Sequence, residues 1–332
     1  MLSTLQKKLY DGIDLTSDEA KIIFDEVMTG KVDDIIISSL LTALKIKEET
    51  ADEIAGACKS ILNKATNFNR PDYHFGDIVG TGGDPYNTIN VSSMSAIVAG
   101  ACGAKVCKHG NRKVSSSSGS ADVLSALGLN LDASPEHSRL LLDTVGVCFI
   151  MAPNYHRAIK YVMPVRQTLK TRTIFNIIGP LINPARPDYI VNGVYDKRLL
   201  HTIGQAHNTL GVKRATIVHG SGLDEVALHG TTDVVELNNG IFEKYTLSPS
   251  DFGLAPQSLD TIEGGNVAYN SSVARAVFDG TAKDEHKNIV AVNVAMYLRT
   301  AGIEKNLKKG VEIALNTINN GSCLKILERL NK

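Results

Sequence analysis

From residue 72 onward, short apolar runs of strand length recur, with helix-like stretches between most of them, and this rhythm admits few folds. The runs are Asp77 to Val79, Lys105 to Cys107, Val147 to Met151, Tyr189 to Val194 and Ala215 to Val218. Strands joined through crossover helices pair in parallel, so a mainly parallel central sheet covered by helices is expected. Two further runs, Val234 to Leu237 and Ile241 to Tyr245, flank Asn238-Asn239-Gly240, a hairpin signal.

Residues 1–68 follow another pattern and read as all helix. Thr16 with Glu19 and Thr50 with Glu53 fit the S/T-x-x-E capping box. The first precedes the stripe Ala20, Ile23, Phe24, Val27, closed by Gly30; the second precedes Ile54, Cys58, Ile61, Leu62. Between them, Ile35 to Leu44 is apolar on nearly every side, which suggests burial on more than one face, as core or as a subunit interface. The segment Asn67 to Asp72 has linker chemistry. The expected organisation is a small helical domain over 1–68 and an α/β domain over 72–332. Residues 156–185, polar and basic and ending in Ile178-Gly179-Pro180-Leu181-Ile182-Asn183-Pro184, read as an excursion from the sheet toward the helical domain.

Charge narrows the function. Thirty-five basic and thirty-five acidic side chains cancel in 332 residues, so nucleic acid and anionic membranes are not expected partners and any anion site is local. No stretch approaches the roughly 20 apolar residues of a membrane helix, and Met1 to Tyr10 lacks an apolar signal-type core. Five cysteines with no CxxC spacing point to reduced thiols in a cytoplasmic protein.

Two short motifs carry the chemistry. In Asp77-Ile78-Val79-Gly80-Thr81-Gly82-Gly83-Asp84 a strand empties through glycines toward a helix beginning near Asn90. That arrangement offers unpaired N–H groups and a positive dipole end to an anion. Pro85 replaces the third glycine of a GxGxxG fingerprint and no GxxxxGK[ST] occurs, which disfavours nicotinamide and P-loop chemistry. Asp84, Thr88, Asn90, Ser92 and Ser93 crowd the same loop with groups that bind phosphate, ribose or metal oxygen. The second motif, Lys108-His109-Gly110-Asn111-Arg112, leads through Ser115-Ser116-Ser117-Ser118 to Gly119-Ser120-Ala121-Asp122, a loop dense in donors that suits a diphosphate.

Asp224 and Glu225 follow the strand Ala215 to Val218 and read either as a solvated acidic pair or, at a strand's carboxyl end, as holders of Mg²⁺. Arg166 can grip a carboxylate in bidentate fashion. His109, His156 and His219 are open to roles as acid, base or ligand, or to plain structural ones. With no GxSxG, HExxH or Cys/His couple, no covalent nucleophile and no general base are expected.

Taken in order and spacing, these motifs, with Arg172-Thr173-Ile174-Phe175-Asn176 through Pro184, resemble the anthranilate phosphoribosyltransferase family over nearly the whole chain. The resemblance implies a nucleoside phosphorylase/phosphoribosyltransferase-like fold, a homodimer through the helical domain, and transfer of phosphoribose from phosphoribosyl diphosphate to anthranilate in tryptophan biosynthesis. It implies that Gly80, Gly83, Asp84, Thr88, Asn90, Val91, Ser92, Ser93, Lys108, His109, Gly110, Asn111, Arg112, Lys113, Val114, Ser115, Ser116 and Ser120 hold phosphoribosyl diphosphate. Ser92, Asp224 and Glu225 would serve Mg²⁺, and Gly80, Asn111, His156, Arg166, Gly179 and Pro180 would receive anthranilate. The run of four serines at 115–118, and the missing glycine-proline start near Gly280, depart from the family pattern. Pyrimidine nucleoside phosphorylases share the architecture and are the nearest alternative, which Arg172 to Pro184 opposes; a nucleic-acid-binding relative without enzyme activity is another, opposed by neutral charge and the carboxylate pair.

Overall fold

The computed structural model describes residues 1–111 and 119–332. Four helices open the chain: α1 (Leu2–Tyr10), α2 (Ser17–Val27), α3 (Asp34–Lys47) and α4 (Ala51–Asn63). Both expected capping boxes close. Thr16 Oγ1 accepts from Glu19 N at 3.3 Å while Glu19 accepts from Thr16 N at 2.9 Å, and Thr50 and Glu53 repeat those distances. Glu53 is fully buried, and it also accepts from Leu15 N and pairs with Lys47 Nζ at 3.0 Å, tying three segments to the start of α4. At Gly56 an added Cβ would run into the Ser17 carbonyl oxygen, so a glycine is what lets α4 press against the start of α2.

The stripes of α2 and α4 face inward as expected, although Leu62 is only half-buried. Within the chain, helix α3 buries one face, through Ile37, Leu40, Leu41 and Leu44, and leaves Ile35 and Ile46 exposed.

Seven strands form one sheet: β1 (Gly76–Gly80), β2 (Val106–Gly110), β3 (Val147–Met151), β4 (Tyr189–Gly193), β5 (Arg214–Gly220), β6 (Thr232–Asn238) and β7 (Ile241–Leu247), in the order β3-β2-β1-β4-β5-β6-β7. The first five are parallel, and β6 and β7 add an antiparallel edge. All seven expected runs are strands. The β6–β7 turn places Asn239 at φ +49° and Gly240 at φ +86°, the left-handed pair a tight two-residue hairpin requires.

The remaining helices are α5 (Val91–Ala101), α6 (Ser120–Ala126), α7 (Pro135–Thr144), α8 (Ala152–Tyr155), α9 (Met163–Leu169), α10 (Leu199–Thr209), α11 (Val267–Asp279), α12 (Asp284–Ala301), α13 (Leu307–Asn319) and α14 (Ser322–Leu330). Alternation along the strands sorts the core. Ile78, Val106, Val147, Val191, Val218 and Val234 pack with α5 and α11–α14, whereas Ile190, Ala215, Ile217, Val235 and Leu237 pack with α10. That second core continues without a break through Leu181 and Ile182 into α2, α3 and α4.

After β3, α9 packs on α3, and two 3₁₀ turns, Ile174–Asn176 and Gly179–Ile182, bring the chain back to β4. Because β4 lies beside β1 rather than β3, the loops leaving β1 and β4 diverge. Open parallel sheets bind ligands in that crevice, beyond the carboxyl ends of the strands.

Candidate active site

Glycine ends four of the parallel strands, at Gly80, Gly110, Gly193 and Gly220. Three of these make a shelf for the segment carrying Asp224 and Glu225. A Cβ on Gly193 would enter the Asp224 carbonyl oxygen, one on Gly80 the Asp224 carboxylate, and one on Gly220 the Glu225 carbonyl. The acidic pair therefore lies directly across the ends of β1, β4 and β5, a position only a bare backbone permits.

From there the two carboxylates reach both halves of the phosphate-type loop. Asp224 Oδ2 accepts from Gly82 N at 2.6 Å, and Glu225 Oε1 accepts from Ser92 N at 3.2 Å, across the first turn of α5. Asn90 occupies the N-cap of α5 without capping it by its side chain. Its Oδ1, together with the Ser93 hydroxyl, is buried without a protein partner among the described residues. These orphaned groups and the helix end suit an oxygen-rich anion.

Electrostatics point to a cation as well. Burial, and then the neighbouring Asp84, push the Asp224 carboxyl up to about 7. Burial, and then Asp224, push Glu225 well above the usual carboxylate range. Two crowded carboxylates, each met by a single N–H, fit a hard divalent ion such as Mg²⁺. Among the described residues no three of His, Cys, Asp or Glu come together as a metal cage, so the shell of such an ion would be completed by ligand oxygens and water.

Lys108 is not at the strand end where the sequence suggests it, but inside β2. It is 3% exposed, with Nζ donating to the Ile78 carbonyl at 2.5 Å. Burial pulls its ammonium down, against the pull of Asp77, Glu225 and Asp224. Asp77 is itself fully buried and raised to about 6 by that burial; its Oδ2 accepts from His109 N at 3.2 Å and Asn183 Nδ2 at 2.8 Å. Asp77 and Asn183 thus hold β2 beside the bend after Gly179.

His109, next along β2, is paired with a second buried histidine. His109 Nδ1 lies 3.1 Å from the Gly179 carbonyl, which can only accept, so the proton sits on Nδ1 and Nε2 is left as an acceptor without a partner among the described residues. His156 meets the His109 ring edge-on at 5.3 Å, and neither of its ring nitrogens has a partner among the described residues. The Ile182 carbonyl offsets part of the effect of burial on His156 without hydrogen-bonding geometry. Burial holds His109 at about 3 and His156 at about 4, so both rings are neutral near pH 7.

Arg166, on α9, is half-buried over the Phe175 ring at 5.4 Å and has no carboxylate partner among the described residues. Arg172 stacks 3.9 Å above the Tyr195 ring and donates to the Gly83 carbonyl, pinning the glycine bend.

Of the sequence-named residues, Gly80, Asp84, Ser92, Lys108, Asp224 and Glu225 converge around one point, and His109, His156 and Gly179 form its neighbouring wall. Thr88 bridges to Glu263, which anchors the loop behind Asn90. Gly110 ends β2, Asn111 follows it exposed, Val91 and Ser120 open α5 and α6, and Pro180 lies in the 3₁₀ turn behind Gly179. Arg112, Lys113, Val114, Ser115 and Ser116 lie outside the described residues. His219 is structural: Nδ1 bonds the Val194 carbonyl at 2.8 Å and Nε2 accepts from Gly222 N at 3.2 Å. Gly193, Asp77 and Asn183 were not singled out from the sequence, although a glycine ending run after run at its carboxyl end was a legible sign.

A third buried histidine, His207 on α10, is held at about 3 by burial. Folded values below the ordinary 6.5 mean that these rings resist protonation in the native state. The stability they contribute is complete above pH 6.5 and is lost as the pH falls toward their folded values. By pH 5 the loss is about 2 kcal/mol for each of the three. The change in urea midpoint from pH 7 to pH 5, compared between the parent and His207→Gln, isolates one ring from the buried carboxyls that take up protons over the same range; an equal change in both proteins would mean that the ring charges without cost.

Comparison with known proteins gives the family. Residues 72–324 match the α/β domain model of a glycosyl transferase family, and residues 3–65 match the helical bundle domain model of the same family. The chain is 50% identical over 329 residues to an anthranilate phosphoribosyltransferase of Vibrio parahaemolyticus, covering 99% of both chains. Its structure superposes on the crystal structure of the Thermus thermophilus anthranilate phosphoribosyltransferase with a TM-score of 0.94 at 37% identity, covering 98% of each. The Saccharomyces cerevisiae enzyme in complex with PRPP and Mg gives 0.88 at 30% identity, covering 99% of this chain and 96% of that one. A carboxylate pair on a glycine shelf, facing a helix N-terminus, thus sits in a chain that belongs to the anthranilate phosphoribosyltransferase family.

Proposed function

We propose that the chain transfers the phosphoribosyl group of 5-phosphoribosyl 1-diphosphate to the amine of anthranilate, giving N-(5-phosphoribosyl)anthranilate and diphosphate for tryptophan biosynthesis. The observation that carries this reading is the seat of Asp224 and Glu225 across the ends of β1, β4 and β5, hydrogen-bonded to the glycine bend and to the first turn of α5. Full-length protein mixed with both substrates and Mg²⁺ is expected to deplete anthranilate fluorescence. Intact fluorescence alongside cleavage of thymidine or uridine would instead favour a nucleoside phosphorylase.

In this reading Gly80, Gly83, Asp84, Asn90, Ser92 and Ser93 hold the diphosphate sugar through main-chain N–H groups and short side chains, with Lys108 setting the local charge from beneath. Asp224 and Glu225, with the Ser92 side chain, would hold Mg²⁺, which when bound supplies positive charge to the departing diphosphate. Anthranilate's aromatic amine keeps a free lone pair, so attack at C1 needs no strong base. His109 Nε2 is a buried acceptor with no partner among the described residues, which suits an amine N–H.

Arg166 would take the anthranilate carboxylate. Arg166→Ala is expected to raise KM for anthranilate about 10- to 100-fold, the value of one lost charge-assisted contact, with KM for phosphoribosyl diphosphate unchanged. Steady-state kinetics with each substrate varied would check it, and an equal rise in both constants would point instead to a general defect in closure.

The chain would work as two lobes, 1–68 with the excursion and 72–332, and as a homodimer through the helical lobe. Supporting the dimer, Tyr10, Ile13, Ile35 and Ile46 are exposed apolar side chains on or near α1 and α3, two helices joined by the Tyr10–Ser39 hydroxyl contact at 2.5 Å. All five cysteines are free, which suits a reducing compartment such as the cytoplasm.

A further inference from the structure

A cavity of about 400 Å³ opens between α4, α10 and the segment leading into β4, at the amino-terminal edge of the sheet. Asp188 on its wall lies five residues before Gly193 along β4, about 16 Å from the catalytic end at ~3.3 Å per residue. Its size falls within the range of small-molecule sites.

Its charge is one-sided. Lys59, Arg70, Arg186 and Lys213 line it against one carboxylate, Asp188. That carboxylate is already satisfied, by Arg70 at 2.6 Å, by the Phe75 N–H at 3.3 Å and by the His74 ring at 3.2 Å. Lys59 donates only to the Ser17 hydroxyl, and neither Arg186 nor Lys213 has an ion-pair partner among the described residues. Three cations therefore surround the opening with no carboxylate paired to them among the described residues.

Below the rim the wall turns apolar, through Leu62, Ile190 and Leu210. His207 also lines the cavity, at 1% exposure. Its Nε2 lies 3.0 Å from Asn192 Oδ1, and because the Asn192 amide nitrogen donates to the Gly193 carbonyl at 2.8 Å, Oδ1 accepts and Nε2 carries the proton. Nδ1 is then a buried acceptor with no partner among the described residues.

We propose that this cavity binds a small organic anion built in three parts: a carboxylate at the cationic rim, a flat apolar body along the wall, and a hydroxyl or amino donor that reaches His207 Nδ1. A hydroxylated aromatic acid has this form. The cavity backs onto the Gly179–Ile182 turn through Pro180 and Leu181 but opens among Arg186, Asp188 and Lys213, before the start of β4 and β5, and the proposal does not depend on the transferase reading.

The chain contains no Trp, so Val212→Trp places a single indole on the cavity wall as a reporter. Titration of the full-length variant with 3-hydroxybenzoate is expected to give a saturable change in indole emission. Benzoate, which lacks the donor, should bind about tenfold more weakly, and Arg186→Glu with Lys213→Glu should weaken 3-hydroxybenzoate at least about tenfold. A linear, non-saturating response, or an affinity unmoved by reversing those charges, would overturn the proposal. Equilibrium dialysis of radiolabelled 3-hydroxybenzoate against Arg166→Ala, in which the anthranilate seat is weakened, and against the same variant with both charge reversals repeats the comparison without the reporter. Equal binding by the two proteins there would overturn it as well.

Discussion

Replacing Asp224 by Asn and Glu225 by Gln together is expected to lower the transferase rate by about two to three orders of magnitude, the scale of losing a preorganised charge at a reacting centre. The amides keep the shape of the side chains on the glycine shelf but can no longer neutralise a divalent ion. Stability should move the other way. Because burial and Asp84 raise the Asp224 carboxyl to about 7, the folded chain holds that proton more tightly than the unfolded one. Native stability therefore falls as pH rises from the ordinary carboxylate range through 7, when the crowded group must ionise. An uncharged pair escapes that loss, so thermal unfolding without metal at pH 8 should come at a higher temperature in the double variant than in the parent. Initial rates across a Mg²⁺ series, beside unfolding curves, separate the two effects. A full rate with the parent's metal dependence would remove the carboxylates from the chemistry.

Gly193→Ala should cost about 100-fold in rate, since its Cβ would occupy the place of the Asp224 carbonyl oxygen and displacing a reacting group by about 1 Å has that effect. The residue contributes no side chain and donates nothing to a ligand. Its proposed role is to leave room. Gly204→Ala on α10 is the control: its Cβ would meet only side-chain carbons, the nearest at 3.2 Å, and the rate should stay within about twofold. Parent-like kinetics for Gly193→Ala would mean that the acidic segment seats itself without the shelf.

The elements that were legible beforehand share one physical property, a signal contained within a few residues. The capping boxes at Thr16 and Thr50 close over three residues, the β6–β7 hairpin over Asn239-Gly240, and each parallel strand within a single apolar run. Local hydrogen bonding and side-chain period write those features directly into the chain. Helix α3 could not be given a buried face beforehand for a related reason. Its apolar residues point all round, and only its neighbours decide which face is covered, so Ile35 and Ile46 stay exposed while Ile37 and Leu40 are buried.

The candidate site divides in the same way. Residue types alone set aside Asp224, Glu225, Arg166 and the glycine bend as chemically able to handle a metal, a carboxylate and a phosphate. They left His156 and His219 alike, each more readily structural than chemical. In the fold His219 has both ring nitrogens taken by backbone, whereas His156 has neither taken among the described residues, and nothing near either residue in the chain foretold the difference. Lys108 likewise looked like a surface hand for phosphate and proves to be a buried charge beneath the carboxylates.

By itself the order of residues determined the strands, the caps, the hairpin and the set of groups able to do the chemistry, because each depends on neighbours a few positions away. The tertiary structure alone decided that Glu225 meets the N–H of Ser92 from 133 positions along the chain, that Asn183 meets Asp77 across 106, and that Gly193 lies under Asp224. Such contacts follow from how sheet, crossover helices and excursion pack together, and packing depends on every element at once.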